Sequence, residues 1–335
     1  MNDMTGSRLF YLLLVLLVVP QINGCRKEPL KVNYELGIFP DSVIALDGLN
    51  TQYDDYNVDI EAGRLSANHP VVFSSNRQSS GGEFDLTQGT IWYMFGQTTG
   101  YFTLDSRMGT DTFLGGLISA FNTPGDEFGP LRFFNSRNGL EYMAVATRSS
   151  ENGLDIVYGS YVPVYSAPPE VEGPVSATLF NSPSDDAYLT LGTTLDTAWF
   201  CSDRDGDFDI YMLTRPSMMT LDEWFTSPPA TPVLADSINS GYDDKCPSVR
   251  GRYMVFASEM AGGYGGFDLW YSVFRNGKWS SPVNMGPGIN SPANEYRPVL
   301  GRDIRFENHF LVFSSDRSGG KGGFDLYFTG ITLPE

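Results

Sequence analysis

The sequence predicts an all-β fold: a five-bladed β-propeller of four-stranded antiparallel blades, the last of them closed by the N-terminal strand. Three observations carry this reading. One motif returns five times along the 335 residues, a second keeps step with it, and the composition is that of a turn-rich β protein, with 14% aromatic residues, 36 glycines and 21 prolines.

The first motif is clearest in Phe313-Ser314-Ser315-Asp316-Arg317, followed by a glycine cluster and Phe324-Asp325-Leu326-Tyr327. Other copies are Phe73 to Arg77 with Phe84-Asp85-Leu86, Phe200 to Arg204 with Phe208-Asp209-Ile210-Tyr211, and Phe256-Ala257-Ser258 with Phe267-Asp268-Leu269. The weakest runs from Ala144 to Arg148, with Leu154-Asp155-Ile156 after it. Its aspartates stand at 85, 155, 209, 268 and 325, so the steps are 70, 54, 59 and 57 residues. A blade of four strands takes about 40 to 50 residues before its loops are lengthened, so each step is one blade.

The second motif places an Asn-Ser or Asn-Thr pair just ahead of an acidic pair. It reads Asn50-Thr51 with Asp54-Asp55, Asn122-Thr123 with Asp126-Glu127, and Asn181-Ser182 with Asp185-Asp186. The last two copies are Asn239-Ser240 with Asp243-Asp244 and Asn290-Ser291 with Asn294-Glu295. An apolar, β-branched stretch follows each pair, as expected of an inner strand.

Within the last unit, Arg297 to Gly301 is the inner strand, Phe310 to Ser315 the second and Phe324 to Thr329 the third. The glycine-rich turn at 319–323 suits positive φ. The chain ends before a fourth strand, while a spare one, Val43 to Leu46, precedes the first unit. Pairing the two closes the ring and removes both free sheet edges.

The N-terminus reads as a targeting segment. Arg8 precedes an apolar run from Leu9 to Val19, too short to span a bilayer comfortably and of signal-peptide length. It ends in Ile22-Asn23-Gly24-Cys25, which resembles a bacterial lipobox, and that resemblance implies cleavage before Cys25 and its acylation. The expected organisation is signal peptide 1–24, lipidated tether 25–40 and propeller 41–335, anchored at the bacterial outer membrane and facing the periplasm or the cell surface. A net charge of −18 argues against nucleic acid as a partner.

The repeated unit resembles the WD-like propeller repeat of TolB-type proteins of the bacterial envelope. The resemblance runs from about Val43 to Tyr327 and implies a propeller that binds other macromolecules. The family's six blades and extra N-terminal domain are not matched.

Blade geometry gathers Asp54, Asp55, Asp126, Glu127, Asp185, Asp186, Asp243, Asp244 and Glu295 around one mouth of the central channel. They are either staples between blades or a negative ring for a cation or a basic partner. Paired carboxylates are of the type that coordinates Ca²⁺, but the spacing of a Ca²⁺-binding loop is missing and no cofactor is required. Two insertions break the repeat. Thr87 to Gly116 carries Trp92 and Tyr93, and Ser217 to Pro229 carries Trp224; each is either packing or an exposed aromatic binding patch.

Cys201 and Cys246 read as small buried residues, though an oxidising envelope permits a disulfide. With two unclustered histidines they make no metal site. No triad or phosphate loop is present. The expected function is therefore a non-enzymatic, protein-binding envelope scaffold. The alternative is a glycan-binding or glycoside-hydrolysing propeller that uses the mouth carboxylates.

Overall fold

The computed structural model describes residues 32 to 334, apart from 61–66, 149–152, 165 and 236. The signal-peptide and lipidation expectations, Cys25 included, lie outside the described residues. Five antiparallel sheets form the five blades. Blade 1 is β2 (Asp55–Ile60), β3 (Asn68–Ser75), β4 (Asp85–Phe95) and β5 (Phe102–Met108). Helix α1 (Thr112–Phe121) leads to blade 2: β6 (Glu127–Asn135), β7 (Leu140–Arg148), β8 (Leu154–Tyr161) and β9 (Val171–Ser176). Blade 3 is β10 (Asp186–Leu191), β11 (Thr197–Ser202), β12 (Asp209–Thr214) and, after α2 (Leu221–Phe225), β13 (Val233–Leu234). Blade 4 is β14 (Asp244–Arg250), β15 (Tyr253–Ser258), β16 (Asp268–Arg275), β17 (Lys278–Trp279) and β18 (Val283–Asn284). Blade 5 is β19 (Glu295–Arg302), β20 (His309–Ser315) and β21 (Asp325–Ile331), completed by β1 (Ile44–Ala45).

Middle strands are apolar on both faces because blades pack face to face. In β20 every residue from Phe310 to Ser315 is buried, which fits a continuous apolar run better than strict alternation. Closure occurs as expected: Ile44 pairs with Phe328 and Ala45 with Tyr327. The ordered fold begins before residue 41. Phe39 is buried and stacks on Phe306 with ring centroids 3.8 Å apart. Its backbone N–H donates to Asn308 Oδ1, and its carbonyl accepts from Asn308 Nδ2, both at 2.9 Å.

The two insertions pack most of their apolar side chains, although Tyr101 and Met218 stay exposed. Helix α1 is capped by Asp111, whose carboxylate accepts from the Leu114 N–H at 2.9 Å, and its apolar face joins the core between blades 1 and 2. Helix α2 opens with a Thr220/Glu223 capping box and buries Leu221, Trp224 and Phe225. The reading of an exposed aromatic patch is thus corrected for Tyr93 and Trp224, which are 0% and 3% exposed. Trp92 is half-buried beside Asp105 and Arg107.

One regularity is invisible in the sequence. Each inner strand carries the same bulge, two residues opposite one, after Tyr56, Phe128, Ala187, Lys245 and Tyr296. The first bulged residues are Asn57, Gly129, Tyr188, Cys246 and Arg297, all with φ between 46° and 57°. Only one is glycine, although left-handed backbone costs other residues about 1–2 kcal/mol.

Candidate functional site

The acidic pairs stand at the same end of every blade, where each inner strand begins, and their two members do different work. The first member bonds to the preceding blade. Asp54, Asp126, Asp185, Asp243 and Asn294 accept from the N–H of Phe324, Phe84, Leu154, Phe208 and Phe267 at 2.6 to 3.0 Å. The asparagine ahead of each pair acts as a surrogate strand residue. Asn239, for example, accepts from Ile210 N–H at 2.9 Å and donates to Ile210 O at 3.0 Å. Asn50 does the same to Leu326 across the closure, at 2.8 and 3.0 Å.

The second member turns inward. Asp55, Glu127, Asp186, Asp244 and Glu295 are fully buried, and their carboxylates accept from the Ser or Thr four residues back. In blades 1, 3 and 5 the motif arginine completes the site: Arg77 on Asp55, Arg204 on Asp186 at 2.6 Å, and Arg317 on Glu295 at 3.0 Å. A ligand meeting this ring would therefore find five carboxyl groups already committed, so the reading of these five as displayed binding residues is corrected.

Blades 2 and 4 break the pattern. Thr147, not Ala146, stands opposite Glu127 as Ser75 stands opposite Asp55, so the weak motif is offset by one residue and Arg148 takes the place of Asn76. Two residues beyond Thr147 and Ser258 the sequence has Ser149 and Met260 in place of arginine. The cation has moved outward, to Arg148 beside Asp126 and Asp185 (3.7 Å each) and Lys245 on Asp243 (2.7 Å). Burial pushes Glu127 up to about 7, against the pull of the Thr123 and Thr147 hydrogen bonds, and raises Asp244 as well; at Glu295 it outweighs even Arg317.

Asp209 is a further raised carboxyl, as are its equivalents Asp85 and Asp155. In blades 4 and 5 the equivalent Asp268 and Asp325 accept loop N–H bonds, Asp268 from Tyr264 at 2.7 Å and Asp325 from Lys321 and Gly322. Ser202 to Asp209 spans seven steps, against ten from Ser315 to Asp325. Among the described residues no loop N–H reaches Asp209, nor Asp85, whose loop has the full ten steps. Burial, and then Asp207, Asp244, Asp205 and Asp243, push this half-buried carboxyl up to about 6.

Between these carboxylates lies an aromatic floor. Phe84 meets Tyr56 at 5.0 Å and Phe128 at 5.3 Å, and Tyr56 stacks on Phe324 at 5.5 Å. Tyr296 meets Phe324 at 6.3 Å and Phe267 at 5.2 Å. Lys245 Nζ closes the circuit, 3.9 Å from the centroid of Phe208 and 5.3 Å from that of Phe267. Phe84, Phe208, Phe267, Phe324, Tyr56 and Tyr296 are half-buried, so part of each side chain meets solvent. Sequence reasoning placed the motif Phe only as a strand residue; its recurrence ahead of the capped Asp was the available signal. Among the described residues no group of three His, Cys, Asp or Glu is arranged to hold a metal ion. Cys201 and Cys246 are buried and unlinked.

No protein-family model and no curated protein matches the chain. Solved structures do match in fold. An endo-arabinase from Bacteroides thetaiotaomicron superposes with a TM-score of 0.55 at 11% identity, over 88% of this chain and 98% of that one. An exo-β-1,3-galactanase from Phanerochaete chrysosporium gives a TM-score of 0.53 at 14% identity, over 86% and 64% of the two chains. An exo-β-1,3-galactanase from Clostridium thermocellum gives 0.52 at 10%, over 88% and 63%. The chain spans just under two thirds of either galactanase. At these identities the likeness is one of fold: an all-β five-bladed propeller. The TolB-type relationship is corrected on this point, because the arabinase and galactanases that share the fold are glycosidases. The expectation of a non-enzymatic, protein-binding scaffold rested on that relationship and is overturned with it.

Proposed function

We propose that the protein is a glycan-active propeller that takes a polysaccharide at the acidic mouth and hydrolyses a glycosidic bond there. The observation that carries this reading is the mouth itself, an aromatic floor rimmed by carboxylates, with one half-buried carboxyl, Asp209, that retains its proton up to about pH 6. Half-exposed rings stack against the C–H faces of sugars, while carboxylates accept their hydroxyl protons. Asp209 in its acid form donates a proton to the departing glycosidic oxygen, and Asp207 and Asp243 are the neighbouring carboxylates that can activate water or attack the anomeric carbon. The likeness in fold to an arabinase and to exo-β-1,3-galactanases makes arabinans and β-1,3-galactans the first substrates to try.

A second reading, recognition without cleavage, is favoured by the commitment of the five inner carboxylates to blade stitching. Affinity electrophoresis and reducing-sugar release on one polysaccharide panel separate the two. Binding and turnover support hydrolysis, binding alone supports recognition, and neither defeats both. We also propose that the chain is lipid-anchored through Cys25 at the outer membrane. Incorporation of labelled palmitate, lost in Cys25→Ala, is the expected result; no incorporation would remove the anchor.

A further inference from the structure

The five bulged residues sit at one level of the channel, in equivalent positions, and no two are chemically alike. Some of their contacts skip a blade, which requires them to cross the axis. Arg297 of blade 5 donates through Nη2 to Pro130 O of blade 2 at 3.1 Å, and more weakly to Gly129 O at 3.4 Å. Tyr296 of blade 5 meets Tyr188 of blade 3, hydroxyl to hydroxyl, at 3.5 Å.

Arg297 is only 3% exposed, yet among the described residues no carboxylate lies within 4.0 Å of it. Its cationic group lies over the Tyr188 ring at 5.7 Å, and its Nε is buried without a hydrogen bond. The neighbouring bulge residue is Asn57, fully buried, whose side-chain Nδ2 and Oδ1 also find no partner. Asn57 is fixed beside blade 5, because its backbone N–H donates at 3.1 Å to Ser314, the residue paired with Tyr296. On the other side Gly129 lets the Tyr188 ring pack close to Arg297: a Cβ there would come within 2.5 Å of the ring and 3.6 Å of Arg297 Nε.

A buried guanidinium without an opposite charge is strongly unfavourable, and a buried amide donor left unbonded adds to the cost. A negative charge beside Arg297 Nε and Asn57 Nδ2 relieves both. We propose that the centre of the propeller binds one monovalent anion, held by the Arg297 guanidinium and the Asn57 side-chain amide beneath the aromatic floor. The anion is a free halide or the carboxylate group of a bound acid. Two donors and a cation with no carboxylate nearby exclude Ca²⁺ from this position. The inference does not depend on hydrolysis at the mouth.

The test is thermal unfolding of the full chain at constant ionic strength, which holds constant the screening of its large net charge. Sodium methanesulfonate is replaced stepwise by chloride, bromide or glucuronate. The expected result is a saturable rise in Tm with one of these anions, abolished in Arg297→Gln and shifted to at least tenfold higher concentration in Asn57→Gly, which retains the positive φ. Saturation by halide identifies a free ion, and saturation by glucuronate alone identifies a sugar carboxylate. Should Arg297→Gln fail to fold, Asn57→Gly and the anomalous signal of bromide in crystals carry the test. A Tm independent of all three anions, or equally dependent in Asn57→Gly, overturns the proposal.

Discussion

Replacing Glu127 by glutamine should remove a pH dependence of stability that the same change at Glu295 leaves in place. The folded state holds the Glu127 proton up to about pH 7, against an ordinary value of 4.5. Between those values the folded chain binds more protons than the unfolded one, so stability falls as pH rises and the loss is complete above about 7. The full shift corresponds to about 3 kcal/mol. Relaxation of the structure around the buried group reduces it to about 1–2 kcal/mol. The Glu127→Gln side chain would keep an oxygen for the Thr123 and Thr147 donors but would not titrate. Urea unfolding at pH 5 and pH 8 should thus show the wild type losing about 1–2 kcal/mol more than Glu127→Gln over that range. Glu295→Gln, by contrast, leaves Arg317 beside a neutral group and should cost about 2–4 kcal/mol at pH 8. Identical pH dependence in wild type and Glu127→Gln would refute the argument that the missing arginine of blade 2 leaves a protonated carboxyl.

Other expectations follow from the stitching. Phe39→Ala removes a ring that stacks on Phe306 and meets Tyr93, Phe102, Phe310 and Phe328, and should cost about 3–5 kcal/mol in denaturant unfolding. Deleting residues 41–46, which include β1, should lower both Tm and cooperativity in calorimetry; an unchanged melt would contradict closure by this strand. Asn239→Ala should cost about 1–3 kcal/mol and speed hydrogen exchange at Ile210, whose N–H and carbonyl it pairs, without altering exchange in blade 1.

Blade number, closure and the staple alternative for the acids were legible in the sequence because five copies had to satisfy the same bonds; the asparagines showed there only as a register mark. Repetition makes a shared bond visible as a shared residue. It hides whatever differs at one position: Asn57, Gly129, Tyr188, Cys246 and Arg297 have no type in common, and only the backbone reveals their equivalence. Burial of Tyr93 and Trp224 was illegible for another reason, since an aromatic insertion has the same composition whether it covers a blade or faces solvent. Met260 in place of an arginine could be read directly. Its consequence, a carboxyl at Asp244 raised by burial without a cation to oppose it, needed the geometry. Asp209 belongs to the same class: its motif position was countable, but its burial among neighbouring carboxylates was not.

The central claim, a glycan-active mouth, is tested most directly by reducing-sugar release from arabinan and β-1,3-galactan across pH 5 to 8, comparing wild type with Asp209→Asn. The account predicts turnover that declines as pH rises through about 6, where Asp209 gives up its proton, and that is lost in the variant. Turnover unaffected by Asp209→Asn, or no turnover on any glycan tried, would contradict it.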